Sequence, residues 1–180
     1  KPSPDPNQVE GELPEAVLHA AAEGGVQAVA AWLDGGGGVD AHCAELKGMT
    51  LLMGAATGGQ EAIVWMLLQR GASVNLQNSH GGTALMGAAV SGQTTIVQAL
   101  LDAKADASLQ TKNGYTALTL AEQRKHTATA QLLRQHAKRQ AAEAEAKAAA
   151  LATHAAAAAD AMAAELLEEV EAEKEAAAKK

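Results

Sequence analysis

Aromatic residues are scarce in this chain. Its 180 residues include no phenylalanine, one tyrosine and two tryptophans. Because protein interiors are packed as densely as organic crystals, the core must be filled with alanine and aliphatic side chains. The single cysteine, Cys43, excludes an internal disulfide and fits a reducing compartment. We expect its thiol to be exposed or half-buried.

Charge and hydropathy exclude two classes of partner. The chain has 14 basic and 21 acidic residues, so it lacks the positive charge with which proteins neutralise nucleic-acid phosphates. No apolar run approaches the about 18 residues that suggest a membrane-spanning helix. We therefore predict neither a nucleic-acid partner nor a membrane segment.

Helix-breaking residues are missing from the C-terminal part. No glycine follows Gly114 and no proline follows Pro14, and strong helix formers dominate the last fifty residues. This composition predicts one helix from near Thr127 to about Ala177, roughly 75 Å long.

The N-terminal residues have a different composition. Residues 1–11 contain Pro2, Pro4 and Pro6 and are predicted to form a linker. The chain does not begin with methionine and shows no signal-peptide pattern, so we expect a fragment or a processed form.

A short phrase recurs every 33 residues and contains Thr50, Thr83 and Thr116. A fixed period of this length predicts an array of identical helical units. Neighbouring units stack because one unit cannot bury its apolar face alone. Further positions keep the same register: Ala55-Ala56 with Ala88-Ala89, Ile63-Val64 with Ile96-Val97, and Leu67-Leu68 with Leu100-Leu101.

Each unit has the pattern of two helices and an extended finger. In the unit that begins at Thr50, the threonine hydroxyl is predicted to cap the first helix. Gly58-Gly59 ends that helix and allows a turn. Apolar residues at helical spacing then predict a second helix from Gln60 to Gln69.

These residues resemble the ankyrin repeat. The phrases Gly-x-Thr-x-Leu-x-x-Ala-Ala-x-x-Gly and Ile-Val-x-x-Leu-Leu-x-x-Gly-Ala-x-Val-Asn match that family in the repeat that contains Thr50. The resemblance implies an all-α solenoid over residues 12–136, with hairpin-like fingers, continuing into a long helical arm at 137–180. The four repeats cover about 12–44, 45–77, 78–110 and 111–136, and the outer two are degenerate.

The chain departs from the family pattern in the first helix of each central repeat. Where the family has Thr-Pro-Leu-His, this chain has Thr50-Leu51-Leu52-Met53 and Thr83-Ala84-Leu85-Met86. The proline that pre-sets the first helical turn is missing. The histidine that ties neighbouring repeats together in the family is replaced by methionine, which contributes apolar contact instead.

The resemblance also implies where a ligand binds, namely at the fingers and on the exposed side of each first helix. Tyr115 is the natural hot spot because buried aromatic residues dominate interface energetics. In this chain the implied protein-binding residues are Leu46, Lys47, Met49, Thr57, Ser79, His80, Val90, Ser91, Lys112, Asn113, Tyr115, Gln123 and Arg124.

The two tryptophans are interpreted differently. Trp65 stands where the next two repeats have Gln98 and Gln131, on a face expected to meet solvent. It predicts either a protein contact on the outer side or contact with a longer neighbouring side chain. Trp32 occupies the position of a core residue in the other repeats and is predicted to be buried.

The arm has a narrow apolar stripe. Its larger apolar residues and their small partners are spaced nearer an 11-residue than a 7-residue period, which favours a nearly straight helix or a slight right-handed supercoil. The stripe buries little area, so we predict that self-association is weak or absent. Docking on a partner and a solvated single helix, held by pairs such as Glu143–Lys147, both stay open. The stripe comprises Leu151, Ala155, Ala159, Met162, Leu166 and Val170.

No credible catalytic or cofactor-binding set is found in the sequence. The six histidines lack metal-ligand spacing, and His42 with Cys43 on one finger supplies too few ligands for a structural zinc site. The run Gly35 to Gly38 lacks the Gly-Lys-Ser/Thr ending of a phosphate loop and is interpreted as a flexible turn. We predict no enzyme activity, no cofactor and no metal.

These expectations lead to a function. The chain is predicted to be a protein–protein interaction adaptor, with one partner on the concave repeat surface and a second partner or assembly on the arm. The alternative is a regulatory docking region of a longer multidomain protein, such as an enzyme or channel. The expected location is intracellular, in the cytoplasm, with the nucleus or an organelle left open.

Overall fold

The computed structural model describes residues 12–178. It divides after Ala137 into two compact units, and α8 contributes residues to both. The elements are α1 (Glu15–Glu23), α2 (Val26–Asp34), β1 (His42–Cys43), β2 (Met49–Thr50), α3 (Leu51–Gly58), α4 (Glu61–Gln69), α5 (Ala84–Val90), α6 (Thr94–Asp102), α7 (Ala117–Gln123) and α8 (Thr127–Ala178).

The first unit is a stack of helix pairs. The first helices α1, α3, α5 and α7 form one row, in which each contacts the next, and α2, α4 and α6 form a second row behind it. The core lies between the rows and contains Leu18, Ile63, Leu67, Ile96 and Leu100, all buried. The predicted all-α repeat solenoid is confirmed.

Threonine caps begin the first helices of the last three repeats. The hydroxyls of Thr50 and Thr83 accept hydrogen bonds from the amides of Met53 and Met86, at 3.4 and 3.3 Å. In the fourth repeat Thr119 also accepts from the amide of Thr116, at 2.8 Å, and completes a reciprocal capping box. The threonine caps therefore stabilise these helices without the proline of the family phrase.

Replacing Thr83 with alanine is expected to lower the free energy of unfolding by about 1 kcal/mol, because a helix N-terminal amide loses its acceptor. Urea unfolding followed by circular dichroism measures the change. Thr95→Ala is the matched control, since Thr95 is exposed inside α6. An equal loss in both variants would contradict the capping role.

Three fingers project from the stack, at residues 42–50, 75–83 and 108–116. In the first finger β1 and β2 pair antiparallel, with Cys43 opposite Met49. His42 is exposed and Cys43 is only 1% exposed. The expectation of an exposed or half-buried thiol was wrong, because alternation along the strand turns Cys43 into the core.

Neighbouring repeats are joined by hydrogen bonds at the finger tips and in the turns that precede the fingers. At the tips, the Ser79 amide donates to the Lys47 carbonyl and the Lys112 amide to the His80 carbonyl, at 2.8 and 2.9 Å. In the exposed turns that follow α2 and α4, the Ser73 hydroxyl donates to the Asp40 carboxylate at 2.6 Å. The fingers are therefore held in a fixed register along the stack.

Asp106 precedes the third finger and takes part in these contacts. Its amide donates to the Asn75 side chain, and Ser108 donates to its carboxylate through both hydroxyl and amide. The Ser108 bonds hold the pKa of Asp106 below its ordinary value.

The second unit consists of residues 138–178 of α8, so the predicted uninterrupted helix is confirmed. Its described side chains are exposed, and Glu143 lies 3.9 Å from Arg139, in place of the predicted pair with Lys147.

The linker prediction for residues 1–11 lies outside the described residues. The domain boundaries stay a prediction. Among residues 12–178, no helix is apolar and long enough to cross a bilayer.

Candidate functional site

A groove of about 210 Å³ runs along the first-helix row of the first unit. Three methionines and two aliphatic residues give it an apolar lining, with small and polar residues between them. The residues of this inner groove are Met49, Met53, Thr57, Asn78, Gly82, Thr83, Met86, Gly87, Val90, Thr111 and Leu120.

The 33-residue period places corresponding groove side chains of successive repeats next to one another on the same surface. Met53 and Met86 are the third residues of α3 and α5, one turn after the threonine caps. Gly87 lies against Thr57 of the preceding repeat, and a Cβ atom there would lie 2.4 Å from the Thr57 hydroxyl oxygen. The small residue brings α5 close to α3, which keeps the two methionines in a single surface.

A second cleft, of about 310 Å³, lies beside the first two fingers. Lys47 and Ser79 contribute to it, together with His42 and Leu76. Asn78 lines both this cleft and the inner groove. Its side-chain oxygen accepts from the amides of His80 and Gly82, at 3.0 and 2.8 Å, which fixes the turn of the second finger.

The predicted binding residues are divided among several places. Met49, Thr57 and Val90 line the inner groove, and Lys47 and Ser79 line the finger cleft. The exposed side chains of His80, Lys112, Asn113 and Tyr115 lie on the fingers. The binding roles of all these residues stay predictions.

The other predicted residues lie outside both cavities. Leu46 is half-buried against the core. The Ser91 hydroxyl donates to the Thr57 carbonyl at 2.8 Å, so it already joins two repeats. Gln123 and Arg124 are exposed at the end of α7. Trp65 is 48% exposed on α4, away from the groove, and Trp32 is partly buried against the core.

Sequence reasoning missed eight of the eleven groove residues, among them the large apolar side chains of Met53, Met86 and Leu120. The two methionines were interpreted as substitutes for a family histidine, and their recurrence at a 33-residue interval was the available signal. It also missed the side chains that join repeats in place of that histidine. Gln60 donates to the Ala22 carbonyl at 3.0 Å, and a ring nitrogen of His126 lies 3.0 Å from the Val90 carbonyl oxygen.

The charges of the elements around the groove are balanced. The fingers and first helices of the three repeats that line it contain two cations, Lys47 and Lys112, and two carboxylates, Glu45 and Glu122. Glu122 is paired with Arg134 at 2.6 Å. Among the described residues, no charged side chain lines the groove itself.

Metal chemistry has no candidate cluster in residues 12–178, where no group of three or more His, Cys, Asp or Glu side chains converges.

Comparison with family models matches the chain to one described as ankyrin repeats (3 copies), over residues 18–111 and 85–178. The second match extends along α8, where the structure has one helix instead of further helix pairs. No curated protein matches the chain.

Proposed function

The chain belongs to the ankyrin-repeat family, whose repeats generally mediate protein–protein interaction, and from this premise we propose that it is an adaptor. One protein binds in the inner groove and along the fingers, and a second binds residues 137–180. The observation that carries the proposal is the methionine-lined groove beside fingers with exposed polar side chains. Ankyrin-repeat proteins are typically non-enzymatic interaction modules, and we propose no reaction for this chain.

The size of the groove supports a protein ligand. Small-molecule sites usually occupy about 300–1,000 Å³, and this groove measures about 210 Å³. A groove of this size suits one or two anchoring side chains of a larger partner. Met49, Met53 and Met86 adapt their shape to such anchors because the thioether side chain is unbranched and polarizable.

The fingers supply the polar rim that a protein interface needs. Lys47, His80 and Lys112 are exposed around the finger tips, and Tyr115 is 40% exposed at the base of the third finger. The hydrogen bonds between fingers fix their backbones before a partner arrives. Less conformational entropy is therefore lost on binding than with free loops.

The arm supplies the second surface in this proposal. Leu151, Met162, Leu166 and Val170 are between 46% and 72% exposed, and the other described side chains of residues 138–178 are small or polar. A helix with apolar residues on one face binds in the manner of a helix in a groove.

Cross-linking mass spectrometry on the protein in its native extract tests the proposal. Lys47 and Lys112 report on the fingers, and Lys147 and Lys174 report on the arm. Links from the two sets to two different proteins are the expected result. Links from the arm alone would assign binding to the helix and reject the groove.

Val90→Glu is expected to weaken binding of the finger-linked protein at least about tenfold, because a carboxylate is forced into an apolar site. Lys112→Glu tests the rim without touching the core and is expected to weaken the same binding about three- to tenfold. Leu151→Glu, on the arm, is the matched control and should leave this affinity unchanged. Isothermal titration calorimetry gives the affinities, and circular dichroism checks that each variant is folded.

A further inference from the structure

Ser73 lies in the irregular segment that follows α4, and its side chain joins the first two repeats. Its hydroxyl and its amide both donate to the Asp40 carboxylate, at 2.6 and 2.8 Å. The residue is nevertheless exposed, and no helix or strand includes residues 70–83. The hydroxyl is therefore accessible to a modifying enzyme, although it takes part in a contact between repeats.

The sequence around Ser73 distinguishes it from the other serines of the chain. Arg70 precedes Ser73 by three positions, and none of the other four serines follows a basic residue at this distance. Protein kinases use charge patterns around the acceptor to select their substrates. An arginine suits this purpose because its guanidinium forms two parallel hydrogen bonds with one carboxylate of the enzyme.

Arg70 is available for such recognition. Its guanidinium lies 2.6 Å from the Asp34 carboxylate, but the two side chains are 39% and 64% exposed. Exposed ion pairs contribute little to stability, so an enzyme carboxylate is able to replace Asp34. Gly71 follows with a φ of 82°, and a Cβ atom there would meet nothing within 4 Å. The turn between Arg70 and Ser73 is therefore open to a docking enzyme.

We propose that Ser73 is a phosphorylation site for an arginine-directed protein kinase, and that the phosphate loosens the junction between the first two repeats. In the transfer, Ser73 Oγ forms a bond to the γ-phosphorus of ATP, and the bond from that phosphorus to the oxygen of the departing ADP breaks. The hydroxyl proton passes to a carboxylate of the kinase. This regulation goes beyond the adaptor function and does not depend on which protein occupies the inner groove.

The Asp40 carboxylate opposes a phosphate at this position. Phosphorylation removes the hydrogen that Ser73 Oγ donates to Asp40. It also places a charge of about −1.5 to −2 beside that carboxylate, and the like charges repel.

The third repeat adds a second carboxylate along the stack. The 33-residue period gives Asp106 the position that Asp40 and Ser73 have in the first two repeats. The hydrogen bonds from Ser108 hold the pKa of Asp106 below its ordinary value, which favours the ionised form. Phosphoserine at position 73 would therefore stand between repeats that both have a carboxylate at the same position.

The first repeat is expected to respond most, because it lies at the end of the stack. The bonds that join it to the second repeat include those from Ser73 to Asp40, from Arg70 to Asp34 and from Gln60 to the Ala22 carbonyl. The phosphate removes the first of these bonds and competes with Asp34 for Arg70. A terminal repeat has only one neighbour, so its helices open locally before the rest of the stack unfolds.

Recognition is tested with calmodulin-dependent protein kinase II, which selects arginine three positions before the acceptor. The full chain is expected to take up phosphate from magnesium ATP, and tandem mass spectrometry is expected to locate it on Ser73. Arg70→Gln should lower the initial rate at Ser73 at least about tenfold. Arg139→Gln is the matched control, since Arg139 is exposed on α8 and has no serine or threonine three positions later. Its rate should stay within about twofold of that of the unmodified chain.

Hydrogen exchange on the phosphorylated chain tests the loosening. The amides of α1 and α2 are expected to exchange at least about fivefold faster than in the unmodified chain, and those of α6 within about twofold. Ser73→Glu should act in the same direction. Ser79→Glu is the matched control, because it adds the same charge to an exposed serine of the second finger, where the Ser79 amide bonds to Lys47. Exchange in α1 and α2 should not change in this control.

Asp40→Asn separates charge repulsion from a general effect of the phosphate. The variant keeps a side-chain oxygen that accepts from Ser73 and removes the negative charge. Phosphorylation of this variant is expected to accelerate exchange in α1 and α2 less than about twofold.

Three results would overturn the proposal. The first is a Ser73 that remains unmodified, whether the chain takes up no phosphate or takes it up only at Thr127, which follows Arg124 by three positions. The second is equal acceleration of exchange in α1 and α6. The third is the same acceleration in Asp40→Asn as in the native chain. The adaptor function is tested separately, because the cross-links from fingers and arm are measured on the unphosphorylated chain as well.

Discussion

Replacing Gly58 with valine is expected to lower the free energy of unfolding by about 3 kcal/mol. Gly58 is the last residue of α3, and a Cβ atom there would lie 2.0 Å from the carbonyl oxygen of Ala22. The obstacle is backbone, so no rotamer change relieves it. The first and second repeats must move apart along the row of first helices, which opens the core between them.

The expected loss of stability comes from the contact with the Ala22 carbonyl and exceeds the loss that the helix propensity of valine would cause. Valine inside a helix costs a few tenths of a kcal/mol more than alanine, so propensity alone gives a small change. Ala62→Val is the matched control, because Ala62 is exposed in α4. Urea unfolding is expected to separate the two variants clearly. Similar midpoints for both would show that the repeats tolerate separation at Gly58.

Replacing Leu100 with alanine is expected to cost about 3–4 kcal/mol. Leu100 lies in α6 with 0% of its surface exposed, among Ile96, Val97 and Leu101. The loss combines the transfer free energy of the removed carbons with the cavity that remains. The cavity stays open because the neighbouring core residues are held by two rows of helices.

The loss of stability in Leu100→Ala is expected to be uneven along the stack. In a repeat protein each unit contacts only its neighbours, so stability is lost locally before it is lost globally. Hydrogen exchange is expected to accelerate more in α5 and α7 than in α1. Leu151→Ala is the control, since Leu151 is 72% exposed in the second unit, and its effect should stay within about 0.5 kcal/mol. Equal acceleration in α1 and α7 would contradict the nearest-neighbour description.

The helices of this fold were predictable because their signals are local. Thr50, Thr83 and Thr116 mark helix starts through hydrogen bonds that span three residues. The glycine-free sequence after Gly114 predicted a helix ending near Ala177, and the helix ends at Ala178. The 33-residue period determined that the units stack, since a single helix pair cannot bury its own apolar face.

The groove was only partly predictable. Family resemblance pointed to Met49, Thr57 and Val90, which do line it. Met53 and Met86 were expected to pack, and they are buried, yet their edges also form the groove. A residue that serves core and surface together cannot be recognised from periodicity, because periodicity assigns each position to one face.

The sequence by itself determined the helices, their caps, the repeat period and the net charge, since each depends on residues close in the chain or on composition. Only the tertiary structure decided the burial of Cys43, the bonds of Gln60, Ser91 and His126 to neighbouring repeats, and the assembly of three methionines from two repeats into one groove. Each of these joins residues about 33 positions or more apart, or depends on how strands turn against the core. Stacking brings such residues together, and the local sequence carries no separate signal for that contact.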